Sequence, residues 1–458
     1  MAKQSTFFMG HFEITDSFRI KEKLKEQDWY REEPDKIINH LKDIFYEDFY
    51  KFCFSSKIGK GCVAYKKPID KSVTIRPGKR NEIVIQVKEI KIFLLPFNMI
   101  MFYIEIEQSD ASANDICFIN RRLRNIRKYN DMLDSWSRVA IQPLIDLYKE
   151  FNVVKGEPQK AVLVGRGNRL KTFQIITQQA EGKAVLPETE RQEQLYLYGT
   201  LTYHSGETED NEISVTPQHL AKIMEENSIY IHKGWSCLAL LDTITFVLYD
   251  ETIDSYIQEF KNYCRTIYIH ALFQKYYLFQ LNQKHYEMQK ESMSVTSYIK
   301  SLFSLGNTNV EILAHDMRIF ATKYSFSNIA YNNLPIMMQH YVSKALQIEG
   351  EKDAVYNIVQ AEKEEIEGMS DKTINVVLLI LSLFSFISAI LDGCVLINSI
   401  HPYKNWLPSE TIGYGMFSAA FIVIMLCIIT MFVVIGRRRS KRGHESLIRP
   451  LVSKKRSR

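Results

Sequence analysis

Five basic side chains fall within eight positions: Arg121, Arg122, Arg124, Arg127 and Lys128. The patterning predicts a helix over Asp115–Tyr129, on which Arg121, Arg124 and Lys128 share a face by i, i+3, i+7 spacing while Arg122 and Arg127 flank it. Guanidinium forks bind phosphate bidentately, and an aromatic neighbour such as Tyr129 offers a purine a stacking surface. Two uses stay open from the residues alone. One is a site for a phosphate-bearing ligand; the other is an inter-subunit salt-bridge face against Glu105 and Glu107. Trp235 and Asp242 read as core or interface positions.

A second set of chemistry-bearing residues lies near the C-terminal end. Asn375, Ser382, Ser385, Ala389 and Asp392 recur at steps of seven, three, four and three, which puts them on one side of a helix. Hard cations favour such oxygen ligands. An intramembrane carboxylate is a functional candidate by default, although Asp392 also lies close enough to Ile400 simply to end an apolar stretch. Ser382 and Ser385 are equally readable as small packing residues that bond back to their own helix. Before this stretch, Glu362, Glu364, Glu365, Glu367 and Asp371 form an acidic collar, either a cation-attracting mouth or a solvated face. The chain has no HExxH, no GxSxG and no Walker-type loop, so no enzymatic activity is expected. Gly165-Arg166-Gly167-Asn168-Arg169 is a basic glycine loop that reads as a turn between strands. The seven cysteines are scattered without CxxC spacing, which fits reduced thiols and no recognisable metal site.

The elements that must position these residues divide the 458-residue chain sharply. From 374 to 400 the only charge is Asp392, and from 412 to 435 there is none. As helices these stretches would be about 40 and 36 Å long, more than the ~30 Å of bilayer hydrocarbon. The segment from Arg437 to the end holds ten Lys/Arg against one acid, Glu445. The positive-inside rule then keeps both termini cytosolic, and Met1–Met9 lacks the apolar length of a signal peptide. The tail carries +9 of a whole-chain net charge of +5, leaving about −4 elsewhere, so no direct nucleic-acid partner is expected. The expected localisation is the cell inner membrane, multi-pass, with the lipid bilayer as partner.

The residues before 374 read as two halves. Glu82–Val87, Ile90–Leu95 and Met99–Glu107 are β-rich, the last two joined by Pro96-Phe97-Asn98 as a hairpin. Asp115–Tyr129 and Val139–Phe151 read as helices, Ala161–Val164 and Lys171–Thr177 as strands. Thr216-Pro217 starts a helix, and Leu238–Tyr249 returns to strand. Beyond 250 the strand signals stop: Ser255–Gln289 is one long helix, Val310–Ile348 a second with a break near Pro335, and a third leads from Glu351 towards 374. The expected fold class is an α+β cytosolic domain followed by long stalk helices and two C-terminal transmembrane helices. Its boundaries are a sensing domain over 1–250, a stalk over 251–373, spans over 374–400 and 412–435 around a short loop at 401–411, and a basic tail over 436–458.

This architecture resembles the CorA-type two-transmembrane metal-ion transporters. Local phrases look like a divergent branch of that superfamily: Lys91-Ile-Phe-Leu-Leu-Pro-Phe-Asn-Met-Ile-Met-Phe-Tyr-Ile-Glu, Asp115-Ile-Cys-Phe-Ile-Asn-Arg-Arg-Leu-Arg, Trp235-Ser-Cys-Leu-Ala-Leu-Leu-Asp and Arg318-Ile-Phe-Ala-Thr-Lys-Tyr-Ser-Phe-Ser. That branch includes the CorA-like membrane effectors associated with type III CRISPR systems. The resemblance implies a funnel-shaped homo-oligomer, a pentamer, whose first span lines a pore. It implies gating by a nucleotide messenger, an S-adenosylmethionine–AMP conjugate. Five copies would stack Asn375, Ser382, Ser385, Ala389 and Asp392 as rings, with Asn398 at the outer end. The Gly-Met-Asn of the metal transporters is missing; Tyr414-Gly415-Met416-Phe417 lacks the Asn and starts the second apolar stretch. A channel gated by an adenine-nucleotide messenger is therefore the expected function. A magnesium transporter with a divalent cation as cargo and a membrane-anchored sensing scaffold without a pore stand as alternatives.

Overall fold

The computed structural model describes residues 2–15, 19–32, 40–75, 82–126, 134–152, 160–163, 169–178, 187–203, 215–232, 234–249, 254–292 and 308–361, with 364, 378, 381, 382, 384–386 and 388. They fall into two compact units, Met1–Phe279 with Phe320–Asp353 and Gln280–Ile319 with Ala354–Arg458.

The first unit is built on a nine-stranded sheet. Its strands are β1 (Ala2–Glu13), β2 (Tyr30–Arg31), β3 (Val63–Ile75), β4 (Ile83–Leu95), β5 (Met99–Ala111), β6 (Lys171–Gln178), β7 (Ser228–His232), β8 (Trp235–Ala239) and β9 (Thr243–Leu248). The order is β2-β3-β4-β5-β1-β6-β9-β8-β7. Every pairing is antiparallel except β6 with β9, which run parallel with Thr172 opposite Thr243. Pro96-Phe97-Asn98 does join β4 and β5, and both Phe97 and Asn98 take left-handed φ values of 63° and 57°. That is the twist a tight hairpin needs. The two runs 82–87 and 90–95 are one strand carrying an irregularity between Val87 and Glu89.

β1 lies in the middle of the sheet and is covered on both faces. Phe8 meets Trp136 edge-on at 5.7 Å on one side, while Phe7 meets Phe173 at 5.9 Å on the other. The Phe8 side carries α3 (Ala113–Leu123), α4 (Gln142–Phe151), α5 (Glu188–Thr200) and α6 (Pro217–Asn227). Ser112 caps α3, its hydroxyl accepting from the Asp115 amide at 3.1 Å. The Phe7 side is closed by a π-helical turn, Phe260–Cys264, and the long helix α7 (Arg265–Ser292) that follows it. Phe260 stacks on Phe246 at 4.4 Å and meets Trp235 at 5.0 Å. Trp235 is therefore core, as its sequence context suggests.

Several expectations change. Of Ala161–Val164, residues 161–163 belong to a 3-10 turn, Lys160–Leu163, rather than a strand, and Val164 lies outside the described residues. The break in the helical region 310–348 comes before Pro335, between α8 (Thr308–Lys323) and α9 (Asn333–Ala345). Proline is tolerated in the first turn of a helix because an amide there has no intrahelical partner to lose. In the second unit Lys284 pairs with Asp316 at 3.0 Å, and residues 354–361 are helical.

The largest correction concerns the two C-terminal transmembrane helices. No helix among the described residues is long and apolar enough to cross a membrane. A span needs about 20 consecutive apolar residues in one unbroken helix, because only then are all backbone groups satisfied internally. The longest described helix, α7, has 28 residues, but Arg265, Lys275 and Lys284 interrupt it. Within 374–400 the described residues are separate helical positions; the rest of that stretch and all of 412–435 lie outside the described residues. The multi-pass inner-membrane placement and the channel and metal-transport descriptions that rest on the spans are corrected with them.

Gly10 marks the tightest approach in the sheet. A Cβ there would meet the Leu163 carbonyl oxygen, the Phe102 ring and a Leu170 methyl. Overpacking of this kind costs about 1–3 kcal/mol. Gly10→Ala is expected to lower the urea midpoint accordingly, and an unchanged midpoint would show that Phe102 and Leu170 yield freely.

Candidate functional site

A network of buried amides fixes the helix that carries the arginines. Asn120, fully buried on α3, donates to Gln4 Oε1 and Gln174 Oε1, both at 2.8 Å. Gln4 donates to Gln108 Oε1 at 2.7 Å, and Gln174 donates to Thr245 Oγ1 at 2.6 Å. One side chain thus ties α3 to β1, β6 and, through its partners, to β5 and β9. Four residues on, at the end of α3, Arg124 comes next on the same helical face. Its carbonyl accepts the Leu170 amide at 2.8 Å, which fixes the start of β6 against it.

Around Arg124 the N-terminal ends of β6 and β9 meet. Lys171 Nζ donates to Asp242 Oδ1 at 2.6 Å and to the Leu241 carbonyl at 2.9 Å. Arg169 approaches Asp242 Oδ2 at 3.9 Å with its side chain half exposed. Arg124 itself is 6% exposed, and its Nε has no hydrogen-bond partner among the described residues. Burial pulls its pKa down to about 10; Asp242 pushes it back up, and Arg169 and Arg121 oppose that. Burial pushes the Asp242 carboxyl up, but Lys171, Arg124 and Arg169 together hold it below the usual carboxylate range. Among the described residues one carboxylate therefore faces three cations, with Arg121 as a further electrostatic neighbour. Each bare N–H of a buried guanidinium is costly unless an acceptor arrives.

The aromatic wall of this end comes from α7 and β1. Tyr268 lies within electrostatic range of Arg124 and Asp242, and its buried hydroxyl is unpartnered among the described residues. His11 stacks on Tyr276 with ring centroids 3.7 Å apart, its Nδ1 also buried and unpartnered. Thr172 Oγ1, on β6, is a further buried atom with no partner among the described residues.

The sequence-derived site residues separate in space. Arg124 turns inward, whereas Arg121 and Arg122 are exposed, their guanidiniums over the Tyr203 and Phe118 rings at 5.6 and 5.4 Å. Arg127 and Lys128 lie outside the described residues. Among the described residues Glu105 and Glu107 pair with Lys261, at 2.8 and 3.3 Å, and with neither Arg121, Arg122 nor Arg124. Of the pore candidates, Asn375, Ala389, Asp392 and Asn398 lie outside the described residues, and Ser382 and Ser385 are exposed helical positions. Sequence reasoning missed His11, Arg169, Lys171 and Tyr268 and placed Asp242 in the core or an interface. Their one signal was a charge immediately before each of two apolar strands. No group of three or more His, Cys, Asp or Glu side chains that could hold a metal is found among the described residues.

No family model, no curated protein and no solved structure matches the chain.

The buried histidines give the domain a defined acid response. Burial pushes His11 down to about 3, and burial, against a hydrogen bond from its ring to the Tyr324 carbonyl, takes His270 to about 4. Between pH 6.5 and these values the unfolded chain takes up protons that the folded chain refuses, so stability falls as pH falls. Each histidine contributes a slope of about 1.4 kcal/mol per pH unit in that window. Urea unfolding of His11→Gln at pH 6 to 4 is expected to show a shallower loss than the wild type by about that slope. Parallel curves would mean that His11 is protonated in the fold.

Proposed function

We propose that the α+β unit is a sensing module for an anionic adenine-nucleotide ligand, held by its phosphates at the Arg124–Arg169–Lys171 end of the sheet. The observation that carries this reading is the Arg124 guanidinium, buried with its Nε unbonded among the described residues and beside a cluster in which cations outnumber the one carboxylate. Structural ion-pair clusters normally balance their charges, because an uncompensated buried cation is destabilising. A phosphate oxygen would supply the acceptor that Arg124 lacks, and Arg169 and Arg121 stand at the exposed side to complete the grip. The hydroxyl of Tyr268 and the ring edge of His11 offer polar contacts to a base or ribose. The adenine class comes from the resemblance to nucleotide-gated CorA-like effectors; the anion class comes from the residues.

Calorimetry on the full chain with an S-adenosylmethionine–AMP conjugate, AMP and inorganic phosphate tests the role. Arg169→Ala, a surface change that leaves the fold intact, is expected to weaken nucleotide binding at least tenfold, the loss of about one charge-assisted bond. Arg122→Ala, stacked on Phe118 away from the cluster, is expected to bind as wild type. Equal affinity of Arg169→Ala and wild type would remove this end of the sheet from nucleotide recognition.

A further inference from the structure

Two pairs of thiols in the first unit lie within electrostatic range of each other, Cys53 with Cys62 and Cys237 with Cys264. All four are unbridged. Their surroundings differ. Cys237, on β8, and Cys264, in the π-helical turn, are wholly buried. Cys53 and Cys62 both line a cavity of about 150 Å³ between β3, β4, the helix α2 (Glu47–Cys53) and the start of α7. They keep 9% and 7% of their surface exposed. Neither belongs to the Arg124 site, so their chemistry is independent of nucleotide binding.

The backbone sets Cys53 and Cys62 side by side. Cys53 ends α2, and Cys62 stands just before β3 at the other end of a short loop. The Phe52 carbonyl accepts the Cys62 amide at 2.7 Å, and the Cys62 carbonyl accepts the Ser55 amide at 3.2 Å. Gly61 permits that approach, since a Cβ there would meet the Phe52 carbonyl oxygen and Ser55 Cβ. Chains bonded through their backbones run about 4.5–5.5 Å apart at Cα. That lies inside the window of about 4.4–6.8 Å that a disulfide spans.

The cavity limits what can reach the two thiols. Phe52, Phe93, Leu95 and Ile269 make much of its wall apolar. A water molecule claims ~30 Å³ of liquid, so this chamber admits hydrogen peroxide but not a peptide-sized disulfide. Burial pushes the Cys62 thiol up to about 12, with Glu32 raising it further and Lys91 pulling it back; burial and then Cys62 raise Cys53. Both are protonated at neutral pH, which makes their oxidation slow. The same burial favours the bridge once it is made, because no stabilised thiolate holds the pair in its reduced form.

We propose that Cys53 and Cys62 are a peroxide-oxidisable dithiol that closes a reversible disulfide between the end of α2 and the start of β3. One sulfur, having lost its proton, attacks an oxygen of hydrogen peroxide. The O–O bond breaks, a sulfenic acid forms, and the leaving hydroxide takes up that proton as water. The second sulfur then attacks the sulfenic sulfur. The S–O bond breaks, and the hydroxyl leaves as water with the second thiol's proton. Two thiols and one peroxide thus give one disulfide and two waters. Dithiothreitol reverses the step by exchange and leaves as its own cyclic disulfide.

The test is to treat the reduced full chain with hydrogen peroxide, alkylate it under denaturing conditions and map unreduced peptides by mass spectrometry. A Cys53–Cys62 cross-link is expected at least tenfold above any Cys237–Cys264 cross-link, and dithiothreitol is expected to remove it. Dimedone, which traps sulfenic acids, reads the intermediate. Of Cys53→Ser and Cys62→Ser, the variant that keeps the attacking sulfur is expected to label at least tenfold more than wild type, because its resolving thiol is gone. The cross-link itself is mapped on the wild-type chain and does not depend on how either variant folds. Cys53 and Cys62 recovered as thiols after the methionines have oxidised, or oxidised singly without a cross-link, would overturn the assignment.

Discussion

The buried amide of Asn120 is the constraint on which the rest of the first unit depends. A fully buried amide must satisfy its donors, and this one does so with Gln4 on β1 and Gln174 on β6. Those two bonds set the rotation and height of α3 over the sheet. Because Arg124 follows by one helical turn, its guanidinium is delivered to the N-terminal ends of β6 and β9, where Lys171 and Asp242 already pair. Buried donors that all find acceptors specify one arrangement more sharply than apolar packing does, because each wrong register strands one of them. Here the specificity of the core and the position of the cationic site are the same piece of physics.

The same end of the sheet explains why the charges there are unequal. β6 and β9 run parallel, so their first residues meet side by side and both strand starts expose backbone and side chains at one edge. Lys171 and Asp242 fill that edge as a pair, and Arg124 and Arg169 arrive from outside the sheet. Burial weakens the Arg124 charge without removing it. A guanidinium in that state gains more from an arriving oxyanion than a solvated one does, since it has less water to give up.

Much of the fold was legible in the chain, and the parts that were not share a cause. The β4–β5 hairpin was readable because Pro96-Phe97-Asn98 interrupts two apolar runs, and α3 because its apolar positions recur at helical spacing. β1 was not readable. It is buried on both faces, so Phe7, Phe8 and Met9 show no alternation that marks a strand. Arg124 was legible as one of a basic group, but its separation from Arg121 and Arg122 depends on where α3 ends. Lys171 and Asp242 are 71 residues apart, and nothing local in either strand announces a parallel partner. The apolar stretches near the C-terminal end read as membrane spans by length and hydropathy alone; no helix among the described residues meets that requirement.

The most direct measurement is the Arg124 Nε–Hε resonance in an arginine-labelled full chain, assigned by its loss in Arg124→Lys and followed as the S-adenosylmethionine–AMP conjugate is added. A buried N–H that gains a phosphate acceptor is expected to shift downfield and exchange more slowly with water at saturation. A resonance that stays in place while calorimetry records binding would contradict the account, because the ligand would then be held without the one buried cation that the fold positions for it.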